Sequence, residues 1–385
     1  MRKICVLIGS RANYSSIKNV LIEIKKNKKL KLIIIVFSSA VLEKYGKVSD
    51  LIRSDGFKIE EEVFNHLDGE TPLTMSKSTG LAIIELSSAF NKYKPDVVLT
   101  VGDRYETIAT AISSTYLNIS LAHTMGGEVT GTIDESIRHA ITKFAHIHFP
   151  ASKDAYERII KLGEIKKNVF LVGCPRIDEV KKILSRKASI ADIEKKLFTT
   201  GVGNKFSLSQ KFLLFSQHPV STEYDMSEKH MKITLSALNK INLPTIGLWP
   251  NSDAGSAEMS RAIRKYREFG FTNNIYFFKN IDLDTYISLM NITSCLVGNS
   301  SSAIREGAFI GTPAVNIGNR QKGRQRAKNV IDSKNNINEI VSSIKKQIDK
   351  KKYKQSFIYG KGEAGKKISN ILSNVKVKIQ KKITY

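Results

Sequence analysis

Little in this chain invites a metal or a disulfide framework. Its 385 residues include three cysteines, Cys5, Cys174 and Cys295, odd in number, far apart and set in apolar or turn contexts. Neither a C-x-x-C pair nor an H-E-x-x-H string occurs. These absences exclude a disulfide-stapled secreted module and a structural zinc site. They point to reduced thiols in the cytoplasm, with no metal and no cofactor. Long apolar runs are also missing, since nothing approaches the roughly 20 residues that span a bilayer. The opening Met1-Arg2-Lys3 and Ile4–Ile8 resemble a signal peptide, but the run is short and leads into Gly9-Ser10-Arg11 rather than a cleavage site. It reads as a first buried strand, with no membrane partner. No repeat of short period is present.

Acidic residues are scarce: 36 Asp and Glu stand against 61 Lys and Arg, for a net charge of +25. Such a balance raises nucleic acid as a partner. Yet the excess is mostly lysine on presumed helix faces, at Lys25, Lys26, Lys28 and Lys29 and at Lys345, Lys346 and Lys350–Lys352. Recognition surfaces for nucleic acid interleave Arg with aromatic rings, and these runs do not. The reading is a solvated lysine coat with no nucleic-acid partner, whose positive field gathers an anionic small substrate.

A hydrophobic fraction of 41% suits two buried cores rather than one. Short, nearly all-apolar runs alternate with helix-period stretches. The first series is Ile4–Ile8, Leu32–Val36, Lys58–Val63, Val97–Val101, Ser120–His123, His148–Pro150 and Val169–Val172, with helices at Ser15–Lys26, Ser76–Tyr93, Tyr105–Leu117 and Asp154–Leu162. The second is Phe212–Phe215, Thr245–Trp249, Ile275–Phe278, Cys295–Val297 and Ala314–Ile317, with helices at Met226–Ile241, Ser256–Phe269, Leu283–Met290, Ser301–Ile310 and Ile337–Asp349. Apolar strands separated by helices indicate parallel sheets covered on both faces. The fold class is therefore α/β with two Rossmann-like domains. The first covers residues 1–178, joined by the terminal helix 364–385, and the second covers 179–363, across a polar, linker-like stretch from Pro175 to Ser209.

Open parallel sheets bind ligands beyond the carboxyl ends of their strands, and the chemically interesting residues cluster there. Gly9-Ser10-Arg11-Ala12-Asn13-Tyr14-Ser15 follows the first strand, either a plain turn or an anion site at a helix N-terminus. It is not G-x-G-x-x-G. Gly102-Asp103-Arg104 follows another strand, where Asp103 is either an N-cap or a functional carboxylate. Next come His123-Thr124-Met125-Gly126-Gly127-Glu128 and Gly131–His139, gathering two His, three carboxylates and an Arg around a Gly-Gly turn. Asp134 reads as a cap for the helix bearing Arg138 and His139, which leaves Glu128 and His123 unaccounted for. Carboxylates set against cations are what proton removal and delivery at a sugar carbon require. In the second half, Ser216-Gln217-His218, Trp249–Asp253 and Gly298-Asn299-Ser300-Ser301 all follow strands. The last of these offers N–H groups and hydroxyls to a diphosphate, with Glu306 one turn into the helix as a ribose acceptor. Arg320 adds a cation. The segment 272–282 is placed near the base.

These strings, above all Gly126-Gly127-Glu128-Val129-x-Gly131-Thr132-Ile133-Asp134-x-Ser136-Ile137-Arg138-His139 and Gly298-Asn299-Ser300-Ser301 through Arg305-Glu306 to Arg320, resemble the hydrolysing UDP-N-acetylglucosamine 2-epimerases. Their relatives include enzymes for sialic and legionaminic acid precursors. The resemblance covers residues 9 to about 326 and implies a GT-B-like fold with its active site in the interdomain cleft. It also implies elimination of NDP to a 2-acetamidoglucal, then addition of water to give a free 2-epimer of the N-acetylmannosamine type. Carried over position by position, Asp103 and Asp134 are the catalytic carboxylates, with His123 nearby. Arg11, Ser15, Arg104, Arg138, His218, Asn251, Ser300, Ser301, Glu306 and Arg320 contact the substrate or nucleotide. The partner implied is a UDP- or GDP-linked sugar, and the assembly a homodimer or homotetramer.

Two positions depart from the pattern. Many such relatives carry Glu before the Gly-Gly pair where this chain has Met125, and several carry His near Ser39-Ala40. The chemistry then nominates Glu128 as the remaining acid or base. The alternatives are a non-hydrolysing 2-epimerase, a GT-B glycosyltransferase and a non-catalytic nucleotide-sugar sensor.

Overall fold

A computed structural model describes every residue except 187, 252, 269–273, 377 and 385. In chain order the elements of the first series are β1 (Arg2–Ile8), α1 (Arg11–Lys26), β2 (Leu30–Phe37), α2 (Val48–Ser54), β3 (Glu61–Val63), α3 (Pro72–Tyr93), β4 (Val97–Val101), α4 (Thr107–Tyr116), β5 (Ser120–Thr124), α5 (Asp134–Phe144), β6 (Ile147–Phe149), α6 (Lys153–Lys161) and α7 (Arg176–Ser185). Then follow α8 (Ile190–Leu197), β7 (Leu213–Ser216), α9 (Ser227–Ile241), β8 (Thr245–Leu248), α10 (Ser256–Glu268), β9 (Ile275–Phe278), α11 (Leu283–Ile292), β10 (Cys295–Gly298), α12 (Glu306–Ile310), β11 (Ala314–Ile317), β12 (Val330–Ser333), α13 (Ile337–Ile348) and α14 (Ala364–Asn374).

Two compact units result. One comprises Met1–Val129, Ile133–Glu179 and Tyr359–Tyr385; the other comprises Thr130–Thr132 and Val180–Ile358. The first holds a six-stranded sheet in the order β3-β2-β1-β4-β5-β6, the second one in the order β12-β11-β10-β7-β8-β9, with every pairing parallel. Counted from its own first strand, each sheet runs 3-2-1-4-5-6, the doubly wound order in which the chain reverses direction beside the first strand. The switch points lie between β1 and β4 and between β7 and β10.

The central strands are buried along most of their length, as in Val97–Val101 and Cys295–Gly298. Helices covering both faces explain why these strands read as continuous apolar runs. Leu86 and Phe90 of α3 pack on Ile33, Ile35 and Val98, and Met231, Leu235 and Leu238 of α9 pack on Leu213 and Phe215. The first unit is completed from the far end of the chain. Asp178 caps α14, its carboxylate accepting from Ala364 N–H at 3.0 Å, Gly365 N–H at 2.7 Å and Asn19 Nδ2 at 2.7 Å.

Four local readings need correction. The strand expected at Lys58–Val63 shortens to Glu61–Val63 because the Glu60 carboxylate takes the Ile34 N–H itself, at 2.9 Å. The strand expected at Val169–Val172 is a single bridge from Val169 to His148. The helix expected over Ser301–Ile310 divides into a 3-10 turn at Ser301–Ala303 and the short α12. There Ser300 caps the tighter turn, its hydroxyl accepting the Ser302 N–H, and serine hydroxyls compete with helix bonds in this way. Glu306 therefore opens α12 instead of lying a turn inside a longer helix. Strand β12 carried no apolar signal, since its residues Val330–Asp332 are only partly buried or exposed at the sheet edge. Phe269 of the expected helix and residues 272–273 lie outside the described residues.

Candidate active site

In the first unit the residues beyond β1 and β4 are tied together by Asn13. Ser10 caps α1 by accepting the Asn13 N–H, and the Asn13 side chain accepts from Gly9 N–H at 3.2 Å and donates to Val101 O at 3.3 Å. Arg11 lies half-buried in the first turn and donates to Gly46 O at 3.1 Å; Ser15 is half-buried one turn on. At the end of β4, Gly102 takes a φ of +75°, a left-handed turn that favours glycine, and presents Asp103. Asp103 is not a helix cap, because the cap position of α4 falls on Glu106. Arg104 Nε pairs with the fully buried Glu106 carboxylate at 2.7 Å.

His123, on β5, reaches under this turn. Its Nε2 lies 2.8 Å from Gly102 O, and because a carbonyl only accepts, Nε2 carries the proton. Nδ1 then faces the Thr142 hydroxyl at 3.3 Å. Burial drives the His123 pKa down to about 4, so the ring is neutral at pH 7. Gly126 makes this packing possible, since a Cβ there would lie 2.8 Å from His123 Nδ1. Met125 adopts a φ of +60° and is buried, its sulfur 3.7 Å from Cys174 Sγ. Arg138, on α5, is completely buried; it pairs with the Asp103 carboxylate through Nη2 and donates from Nη1 to Glu128 O at 2.7 Å. Glu128 is itself buried. Asp134 is not the cap of α5 but its first residue, half-buried one turn before Arg138. The structure therefore brings together Asp103, His123, Glu128 and Arg138 as one linked group, with Asp134 on the same helix as Arg138.

In the second unit the residues beyond β7 and β10 are joined by Asn299. Its amide accepts from His218 N–H and donates to His218 O, both at 2.8 Å. The ring of His218 accepts the Asn251 N–H at 3.2 Å through Nδ1. Gly298 takes a φ of +130°, and a Cβ there would come within 2.1 Å of Ser216 O. Arg320 reaches Asn299 O at 3.4 Å and Asp253 at 3.8 Å, and Gln321 donates to the same carbonyl at 2.9 Å. Ser300 and Ser301 are half-buried, Ser302 bonds Tyr286 OH at 2.7 Å, and Glu306 is buried. Serines, side-chain amides and the Arg320 guanidinium thus gather beyond these strand ends, with the Asp253 and Glu306 carboxylates among them, a polar set suited to a hydroxylated or anionic ligand.

Tyr286 and Gln321 shape these sites from outside the strings that the sequence offers, while Asn13, Glu106 and Asp253 lie within or beside those strings but carry no role there. Tyr286 and Gln321 act by cross-linking distant segments, to Ser302 and to Asn299 O, for which a linear pattern carries no signal. Among the described residues no group of three or more His, Cys, Asp and Glu side chains stands ready to hold a metal ion, and no helix is long and apolar enough to cross a membrane.

Two doubly wound sheets with polar side chains gathered at each switch point place the chain among GT-B-like α/β proteins. Residues 22–373 match the family described as UDP-N-acetylglucosamine 2-epimerase, and the chain belongs to that family. It is 32% identical to the UDP-N,N'-diacetylbacillosamine 2-epimerase (hydrolyzing) of Legionella pneumophila, covering 97% of this chain and 96% of the relative. It is 33% identical to the GDP/UDP-N,N'-diacetylbacillosamine 2-epimerase (hydrolyzing) of Campylobacter jejuni, covering 92% and 89%. Among solved structures, the UDP-GlcNAc 2-epimerase of Neisseria meningitidis superposes with a TM-score of 0.79 at 16% identity, over 96% of this chain and 99% of that one.

Proposed function

We propose that this protein is a hydrolysing 2-epimerase of an NDP-linked 2-acetamido sugar, with N,N'-diacetylbacillosamine as the favoured sugar. The observation that carries this reading is near-full-length similarity, at 32% and 33% identity, to relatives named as hydrolysing epimerases of that sugar. The linked carboxylates beyond β4 and β5 support it chemically. The sugar C2–H is weakly acidic and the leaving diphosphate is anionic, so the reaction needs a base and a cationic, N–H-rich cradle. A carboxylate removes the C2 proton, the C1–O bond to the diphosphate breaks with its electron pair leaving on NDP, and a C1–C2 double bond forms. Water then adds, oxygen to C1 and a proton to the opposite face of C2, releasing the free 2-epimer.

Asp103, Glu128 and Asp134 supply the acid and base groups in this reading, with the neutral His123 behind them. Arg11, Ser15, Arg104, His218, Asn251, Ser300, Ser301, Glu306 and Arg320 bind the sugar nucleotide. The product is a precursor for nonulosonic acid synthesis, which similarity at 29% identity to polysialic acid biosynthesis protein P7 of Escherichia coli supports. Three free, buried cysteines support a cytoplasmic location. The assembly is a homodimer or homotetramer, which light scattering checks directly.

The test is to incubate the purified protein with UDP- and GDP-activated N-acetylglucosamine and N,N'-diacetylbacillosamine. Stoichiometric NDP and a free 2-epimeric sugar are expected. Interconversion of two NDP-sugars without NDP release would sink the hydrolytic reading in favour of the non-hydrolysing reaction.

A further inference from the structure

We infer that Arg138 is a positioning residue for Asp103, holding it as a carboxylate in one orientation, and not a contact to the nucleotide. The inference rests on reading the Asp103 cluster as the carboxylate side of the epimerase site. Arg138 has no solvent-exposed surface, whereas the Asp103 side chain it grips keeps 23% of its surface exposed. A ligand therefore has access to the carboxylate and not to the guanidinium behind it. The fork is committed on both arms: Nη2 takes Asp103, and Nη1 donates to Glu128 O at 2.7 Å. One side chain thus pins the strand-end turn that carries Asp103 and the backbone of Glu128.

The supports behind Arg138 and Asp103 are equally enclosed. The Arg138 carbonyl accepts the Thr142 hydroxyl at 3.0 Å, Thr142 faces His123 Nδ1, and His123 Nε2–H holds Gly102 O at 2.8 Å. Asp103 is therefore fixed from two directions, through its own carboxylate and through the preceding residue. A guanidinium is always charged and matches a carboxylate in plane and spacing, so it favours the ionised acid over the neutral one. Held this way, Asp103 is set to accept a proton from the substrate.

The experiment compares Arg138→Gln, Arg138→Lys, Asp103→Asn and the double variant Arg138→Gln/Asp103→Asn, assayed with UDP-N,N'-diacetylbacillosamine and UDP-N-acetylglucosamine. For Arg138→Gln, kcat is expected to fall by about 100-fold or more with KM held within about threefold. Arg138→Lys should recover at least about tenfold of that loss, and the double variant should be no slower than about threefold below Asp103→Asn. A raised KM with kcat retained, a Lys variant as poor as Gln, or losses that multiply in the double variant would overturn the inference. The same four proteins are compared by thermal unfolding. Arg138→Gln, or Arg138→Lys should the Gln variant not fold, must lower the midpoint more in the wild-type background than beside Asp103→Asn. Equal shifts in both backgrounds overturn it. A wild-type protein silent on every sugar nucleotide sinks the functional reading alone and leaves the unfolding cycle to decide this one.

Discussion

Asn299 and His218, 81 residues apart, exchange two hydrogen bonds of 2.8 Å that close the end of β7 onto the end of β10. The pairing uses both polar ends of one side-chain amide and both polar groups of one backbone residue. The Asn299 carbonyl in turn receives Gln321 and Arg320. Replacing Asn299 with Ala leaves the partly buried N–H and C=O of His218 without their partner, at a cost of about 1–3 kcal/mol. The expected result is nucleotide affinity weakened by about tenfold, measured by calorimetric titration with UDP or GDP. Unchanged affinity would show that the clasp does not shape the binding surface.

Gly298 sits beside that clasp in a conformation and a space that exclude other residues. With a φ of +130° and Ser216 O only 2.1 Å from an added Cβ, Gly298→Ala should destabilise the protein by about 3 kcal/mol or more. A urea unfolding midpoint within error of wild type would refute this.

Asp178 is the counterpart in the first unit, where one carboxylate satisfies two N–H groups at the start of α14 and the Asn19 amide. Asp178→Ala should cost about 1–3 kcal/mol. Because α14 packs on α1, it should also speed proteolysis between residues 359 and 376. Limited trypsin digestion followed by mass spectrometry reads this out.

Acid sensitivity should develop in two stages. Burial drives His123 down to about 4 and lowers His146 and His148 as well. The unfolded chain therefore takes up protons below about pH 6.5 that the native state refuses, and stability falls from there toward pH 4. Glu164 governs the second stage. Burial opposes its ionisation, but hydrogen bonds from His148, Lys143 and Lys381 outweigh that and hold its pKa at about 2. Its contribution is present above about pH 4.5 and is lost as the pH falls toward 2. Thermal midpoints should hold from pH 8 to about pH 6.5 and decline from there to pH 3; a plateau between pH 6.5 and 4 would count against the buried neutral histidines.

None of Cys5, Cys174 and Cys295 should react with a thiol reagent in the native protein, because all three are buried. For Cys5 and Cys295 burial also pushes the thiol pKa far up, suppressing the reactive thiolate. All three should titrate after denaturation in guanidinium.

The sheets were legible from sequence because their central strands are buried on both faces and announce themselves as apolar runs. Edge strands β3 and β12 are poorly legible for the opposite reason, as their pairing comes from a neighbour and not from their own composition. The rule that ligands gather beyond strand ends brought Asp103, His123, His218 and Asn299 into view. It was silent on the burial of Arg138, since periodicity gives a helix face but not what covers it. The division of Ser301–Ile310 depended on which serine hydroxyl captured which N–H, a contest that composition does not decide.

The capping of α14 by Asp178 has a consequence for synthesis. The first unit needs Ile368 and Leu372, which α14 buries, so its hydrophobic face stays incomplete while the ribosome is still making residues 180–358. The middle of the chain can finish its own sheet before the beginning does. A chain truncated after residue 358 should therefore carry a folded second unit and a first unit still exposed to chaperones.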